Sequence, residues 1–416
     1  MPPTAPTQTP PPALPSTATP APTGRWRQAW IIGVLGVLTA FAPMSIDMYL
    51  PAFGRIGTDL HVSQGAVQLS LVVFFAGLAL GQLFWGPVSD RRGRKLPLLA
   101  GIALYVIASA GCMAAPSINA LVGWRALQGL SGCAGIVLAR SMVRDSFAPQ
   151  QVARVFSRLT LVLGVAPILA PMAGGWLVQH AGWREVFAAL LAFGVLCLAA
   201  ALTLPETLPA ARRHRQPRAV HAALGVYASL LRDRDYVRSA LVAALTQSCM
   251  FAYILASPAV FMGQYGVAPE HFGYFFGANA AGLITASQVN HALLPRFGLD
   301  RMLRVGVSML AGSSVCVLAA AMTGVGGLWT LAPALFAAIA SLGFCGPNIL
   351  ARALASQGER AGSAAAMLGS LQFWVAATAG TLVASLAGRP AAGMAVVLAT
   401  CAWAAWTLHR TGVRRA

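Results

Sequence analysis

Charge is scarce in this chain, and acid is scarcest. Of 416 residues, 29 are basic and only 11 are acidic, so 10% are charged. A water-soluble protein carries about 25% charged residues, and this chain lacks the polar cover that a soluble surface of its size needs. Lysine is nearly missing: Lys95 is the only one. The cysteines (Cys112, Cys133, Cys197, Cys249, Cys316, Cys345 and Cys401) have no CxxC spacing and all fall in apolar runs. They read as packing residues, neither zinc ligands nor disulfide partners. The histidines show no metal spacing, and no phosphate-binding loop or Walker sequence occurs. Metal sites, cofactors and ATP hydrolysis are therefore not expected. The chain also lacks the polar cluster that a membrane enzyme needs, so no enzyme is expected. No segment shows the ten-residue alternation of a transmembrane barrel.

What is abundant is apolar length, with 57% of residues hydrophobic. A helix crossing the hydrocarbon needs roughly 20 such residues. Runs of that kind occur near 28–50, 66–86, 96–115, 118–139, 155–178 and 184–204. They resume near 237–262, 270–293, 302–322, 325–350, 361–386 and 388–408. The expected fold is an all-α polytopic membrane protein with twelve transmembrane helices in two pseudo-symmetric six-helix bundles. Residues 1–27 form a Pro/Thr-rich tail expected to be disordered. It lacks the basic start and apolar core of a signal peptide, so the first span is expected to be retained. The bundles are placed at 28–205 and 237–410, with a basic central loop at 206–236 and a short tail at 411–416.

The net charge of +18 suggests nucleic acid until the charges are sorted by side. Loops on one side, including 90–95, 140–158 and the central loop, hold the whole excess. The alternate loops balance Arg55, Arg184 and Arg389 against Asp59, Glu185 and Glu270. The positive-inside rule puts both termini and the basic loops in the cytoplasm. The expected location is a bacterial inner membrane, the expected partners are lipid, protons and a small molecule, and no nucleic acid is needed. Asp47 and Arg125 remain, both inside spans and at depths that match. Each is costly against lipid, so both must face protein or a watery cavity. They read either as a static tie between helices or as proton-coupling groups, and intramembrane ionisable residues favour the second.

The two halves resemble each other. RRGRKLPLLAG at 91–101 lies over RFGLDRMLRVG at 296–306 without a gap, matching Arg91 to Arg296, Gly93 to Gly298 and Gly101 to Gly306. CAGIVLAR at 133–140 likewise lies over CGPNILAR at 345–352. Parallel repeats about an axis along the membrane normal are a transporter plan, with the substrate site between the halves.

Four motifs carry a family resemblance. GPVSDRRGRK, Gly86 to Lys95, resembles the cytoplasmic loop signature of the major facilitator superfamily. Gly86 and Gly93 allow a tight turn, and Asp90 can meet the positive end of a neighbouring helix. The resemblance implies that this helix is span eleven, near Glu359–Ser363, and that Asp90, Arg94 and Asp145 form a conformational latch. RALQG, Arg125 to Gly129, resembles the arginine motif of proton-coupled members. GVAPILAPMAGG in the fifth span resembles the antiporter signature, with Gly164, Pro167, Pro171, Gly174 and Gly175. SIDMYLPAF, Ser45 to Phe53, is similar to the bicyclomycin/chloramphenicol-resistance (Bcr/CflA) branch of drug/proton antiporters. That resemblance makes Asp47 the proton carrier and Arg125 its electrostatic partner.

A substrate pocket is expected to draw on Gln247, Tyr253, Asn279, Gln372, Phe373 and Trp374, polar or aromatic residues within spans. The implied function is a monomeric proton-coupled antiporter exporting small amphipathic drugs. The alternative is an exporter or importer of a metabolite, such as a sugar or amino-acid derivative, on the same fold.

Overall fold

The structure, a computed structural model, describes residues 24–147, 149–209, 219–386 and 388–413. The proline-rich residues 1–23 and the arginine-rich residues 210–218 lie outside these. Among the described residues every regular element is helical. The first span, α1, is broken into Arg25–Thr39, Phe41–Asp47 and Phe53–Asp59, with a tight 3-10 turn at Leu50–Ala52. Arg25 and Arg27 are thus already helical, inside the expected tail. Proline explains both breaks. Pro43 cannot donate to the Thr39 carbonyl, and Pro51 cannot donate to that of Asp47; helical segments stop at those two residues.

The next helices are α2 (Gln64–Arg92), α3 (Lys95–Met113), α4 (Ile118–Ser146), α5 (Pro149–His180) and α6 (Arg184–Leu202). A further helix, α7 (Ala219–Arg232), lies within what the sequence suggested was a plain central loop. The second half holds α8 (Arg234–Ser257, continued by a π-helical stretch at Pro258–Gln264), α9 (Pro269–Phe297) and α10 (Leu299–Thr323). It ends with α11 (Leu328–Leu354), α12 (Ala361–Ser385) and α13 (Pro390–Val413). Ten of these are long and apolar enough to cross a membrane by length and composition. The other two crossings are α5 and α9, at 32 and 29 residues, beyond the roughly 20 a span needs.

The packing repeats between halves. In the first, α4 packs on α2 and α3, and α3 packs on α6; in the second, α11 packs on α9 and α10, and α10 packs on α13. Across the divide, α2 packs on α12 and α5 on α9, again equivalent pairs. Helix α7 touches α2, α8 and α12, bridging the halves at the basic end. Tyr236 closes this corner by donating its hydroxyl to the Ala364 carbonyl at 2.7 Å.

The matched glycines Gly93 and Gly298 have the same role. Each ends its helix, α2 or α9, with φ of 87° and 75° and ψ of 170° and 163°. Only glycine occupies that region without strain. Gly86, expected to share the turn, lies inside α2 with open space around it; the helix runs past it to Arg92, and Gly93 alone makes the turn. Gly93→Ala or Gly298→Ala should each cost about 1–3 kcal/mol, read as a lowered unfolding temperature in detergent, whereas Gly86→Ala should leave that temperature nearly unchanged.

Candidate functional site

Asp47 sits where α1 breaks and is 4% exposed. Among the described residues no hydrogen bond or ion pair reaches its carboxylate. It lies within Coulombic reach of Tyr253 on α8, across the contact between halves. The Tyr253 hydroxyl accepts a hydrogen bond from Asn279 Nδ2 at 2.8 Å, and its ring stacks on Phe276 at 5.6 Å.

Arg125 is elsewhere. It is fully buried inside the first half, with its guanidinium 4.5 Å from the Tyr49 ring centroid, 4.2 Å from Phe74 and 5.9 Å from Phe187. Its Nη1 donates to Gln128 Oε1 at 2.6 Å, and Gln128 Nε2 donates to Ser109 Oγ at 2.8 Å. Nε and Nη2 have no hydrogen-bond partner among the described residues. Aromatic faces thus supply much of the compensation for this cation. The static tie between Asp47 and Arg125, one of the two readings of the sequence, is absent among the described residues, and helical phase explains it. Residues two apart on a helix point about 200° apart. Tyr49 takes the side of α1 facing Arg125, which turns Asp47 toward the other half.

Helix α5 meets both groups of contacts through its glycines. A Cβ on Gly174 would stand 2.2 Å from the Met48 carbonyl oxygen, next to Asp47. A Cβ on Gly175 would stand 2.6 Å from the Pro269 carbonyl oxygen at the start of α9. Only bare backbone lets α5 approach α1 and the second half this closely. Pro167 and Pro171 lie within a continuous helix, and Pro167 lines a small pocket beside Tyr253 and Asn279. Gly164 is helical, but its packing lies outside the described residues.

Toward the basic end the halves part around a cavity of about 580 Å³. Thr39, Gln82, Arg140, Ser141, Arg144, Thr246, Gln247 and Gln372 give it polarity; Leu342, Ile349 and Leu350 are among its apolar walls. Toward the opposite end the halves meet where Gly175 of α5 lies against the start of α9.

Residues 35–381 match the Major Facilitator Superfamily. The chain belongs to that family. This transporter is 38% identical to the MFS-type transporter YdgK of Bacillus subtilis over 374 residues, 88% of this chain and 90% of that one. It is 34% identical to the bicyclomycin resistance protein homolog of Haemophilus influenzae, covering 88% and 92%. It is 30% identical to the multidrug resistance protein MdtL of Escherichia coli K12, covering 82% and 87%. Among solved structures it resembles a D-xylose–proton symporter with a TM-score of 0.72 at 14% identity, covering 91% of this chain and 96% of that one. That likeness shows the twelve-helix, two-bundle fold.

Of the six residues expected at a substrate pocket, two line the central cavity and two line a separate small pocket. Gln247 and Gln372 line the central cavity, while Tyr253 and Asn279 line the small pocket near Asp47. Phe373 instead joins an aromatic cluster with Phe75 and Phe251, at 6.4 and 5.6 Å. Trp374 is 44% exposed on the outer surface of the bundle. Arg140, counted from sequence as a loop charge, proves to be a helical residue facing the cavity.

The expected charge cluster forms. Arg94 Nε donates to Asp145 Oδ2 at 2.8 Å, and Nη1 donates to Asp90 and to Ser89 Oγ. Burial disfavours the Arg94 charge, but the Asp145 and Asp90 carboxylates more than offset it and hold its pKa above the usual value. Among the described residues Asp90 makes no hydrogen bond to the start of α12, contrary to expectation. It faces Tyr227 on α7 instead, where burial and the Asp90 charge push the phenol up. Glu206, counted in the sequence only as a charge of the central loop, accepts from the Arg94 and Lys95 amides at 2.8 and 3.2 Å and from those of Thr207 and Leu208, both at 2.9 Å. It fastens the start of α3 to the end of α6, and no spacing rule flags such a residue. The second half has its own loop-to-helix pair, Arg352 with Asp300 at 2.6 Å, more exposed than the Arg94 pair. Asp145→Asn should therefore lower stability in detergent by about 3 kcal/mol, and Asp300→Asn by less than about 1 kcal/mol, by thermal or denaturant unfolding.

Proposed function

We propose that this transporter is a proton-coupled antiporter that exports small amphipathic toxic compounds by alternating access. The observation that carries the reading is Asp47: a carboxylate buried without a cation at the contact between halves, in a chain related to drug-resistance proteins. The halves, 28–205 and 237–410, rock against each other, with the central segment 206–236 as their tether. Both termini face the cytoplasm of a bacterial inner membrane, as the charge distribution supports, so the central cavity faces the cytoplasm. Each chain contains both halves, and a monomer suffices.

An ionised carboxylate without a partner is expensive to bury. Asp47 therefore takes a proton from outside, and the neutral group permits the outer contact of α5 with α1 and α9 to close. Closure there opens the cavity inward. Substrate entry and proton release to the cytoplasm favour the return. Arg125 stays charged and acts as a fixed positive potential within the first half, easing proton loss from Asp47 without a bond to it. The Asp90–Arg94–Asp145 cluster acts as a latch by stiffening the basic end of that half against α7. As the one acid deep within a span, Asp47 supports one proton per cycle. One charge moved through 100 mV is worth about 2.3 kcal/mol, roughly fiftyfold accumulation of a neutral substrate.

In inverted membrane vesicles, addition of an exported drug should release protons from the lumen. Asp47→Asn should abolish that release and proton-driven uptake while leaving a folded protein by size-exclusion chromatography; unchanged uptake would remove Asp47 from the mechanism. Gly175→Ala, which forces α5 from α9, should slow export at least severalfold in the same vesicles, with drug binding in detergent retained.

A further inference from the structure

The central cavity carries positive charge that none of its described lining residues answers. Arg140 is exposed to the cavity, and among the described residues no hydrogen bond or ion pair reaches its guanidinium. Among the described residues Arg144, one turn further along α4, makes only a long 3.4 Å hydrogen bond from Nη2 to Ser141 Oγ. No acidic residue is among the described lining residues. The carboxylate closest in sequence, Asp145, is committed to Arg94. Arg140 is no rim charge either: six residues separate it from the end of α4, about 9 Å of helix. Spacing by four places both arginines on one face of α4, the same face that gives Val137 and Ser141 to the wall.

We propose that Arg140 and Arg144 make this cavity a site for small organic anions, holding a carboxylate or similar oxyanion while Leu342, Ile349 and Leu350 hold the apolar body. The proposal rests on the transport reading in taking this cavity as the substrate site, and it names the substrate class. A guanidinium in an enclosed site attracts an oxyanion bidentately, and the same field repels an organic cation. A cavity of this volume accommodates one drug-sized molecule. The energetics follow. One proton entering and one anion leaving move two charges down the membrane potential, whereas a neutral substrate would move one and a cation none.

Three dansyl compounds with one fluorophore and different charge separate the outcomes: dansylglycine (anionic), dansylamide (neutral) and dansylcadaverine (cationic). Binding to the purified full-length protein in detergent is read from dansyl fluorescence. Wild type should prefer dansylglycine to dansylcadaverine by about tenfold or more. Arg140→Gln should shrink that preference at least about tenfold, and Arg140→Lys, which keeps the charge, should retain most of it. Equal or tighter binding of the cation, no binding of any probe, or a preference untouched by Arg140→Gln overturns the proposal. Proton-driven uptake in vesicles is scored separately. Coupling lost with the anion preference intact would count against the antiport reading, and the reverse against this one.

Discussion

Lipid cannot solvate charge, and each of the few charges in this transporter must be answered by something else. Arg94 is answered by two carboxylates, and Glu206 by a ring of backbone amides. Arg125 has three aromatic faces and one glutamine. Arg140 and Arg144 have the cavity. Asp47 is buried with no cation opposite it among the described residues. On the mechanism proposed above, the unanswered charges are where protonation state and cargo exert force.

Proline decides where that force is applied. Pro51 ends the helical segment at Asp47, and Pro258 ends the α-helical part of α8 one turn beyond Tyr253. α1 and α8 open their respective halves, so Asp47 and Tyr253 stand close to corresponding interruptions. A regular helix would bury its backbone groups identically along its length. A broken one concentrates polarity at a chosen depth, where free carbonyls and a side chain meet at the seam between bundles.

Depth and periodicity were legible in the sequence; direction around a helix was not. Twelve apolar runs, the repeat pairing Gly93 with Gly298, and the Arg94–Asp145 cluster depend on composition and local spacing, and all appear in the structure. The pairing of Asp47 with Arg125 depended on matching depths. It failed because Tyr49 occupies the azimuth that Asp47 would have needed. Arg140 was hidden for the same reason, counted as a loop charge because α4 outlasts its apolar run. Phe373 and Trp374 were substrate-pocket candidates by residue type, yet one turns into an aromatic cluster with Phe75 and Phe251 and the other out of the bundle. Glu206 carries no pattern at all, since its partners are backbone amides from a different part of the chain.

The basic-end ion pairs of the two halves do not occupy equivalent positions. Arg94, at the turn before α3, bonds Asp145 near the end of α4; Asp300, in the first turn of α10, bonds Arg352 on α11. In the register that lays 133–140 over 345–352, Arg352 corresponds to Arg140 and not to Asp145. One repeat therefore commits this arginine to an ion pair, and the other leaves its counterpart facing the cavity.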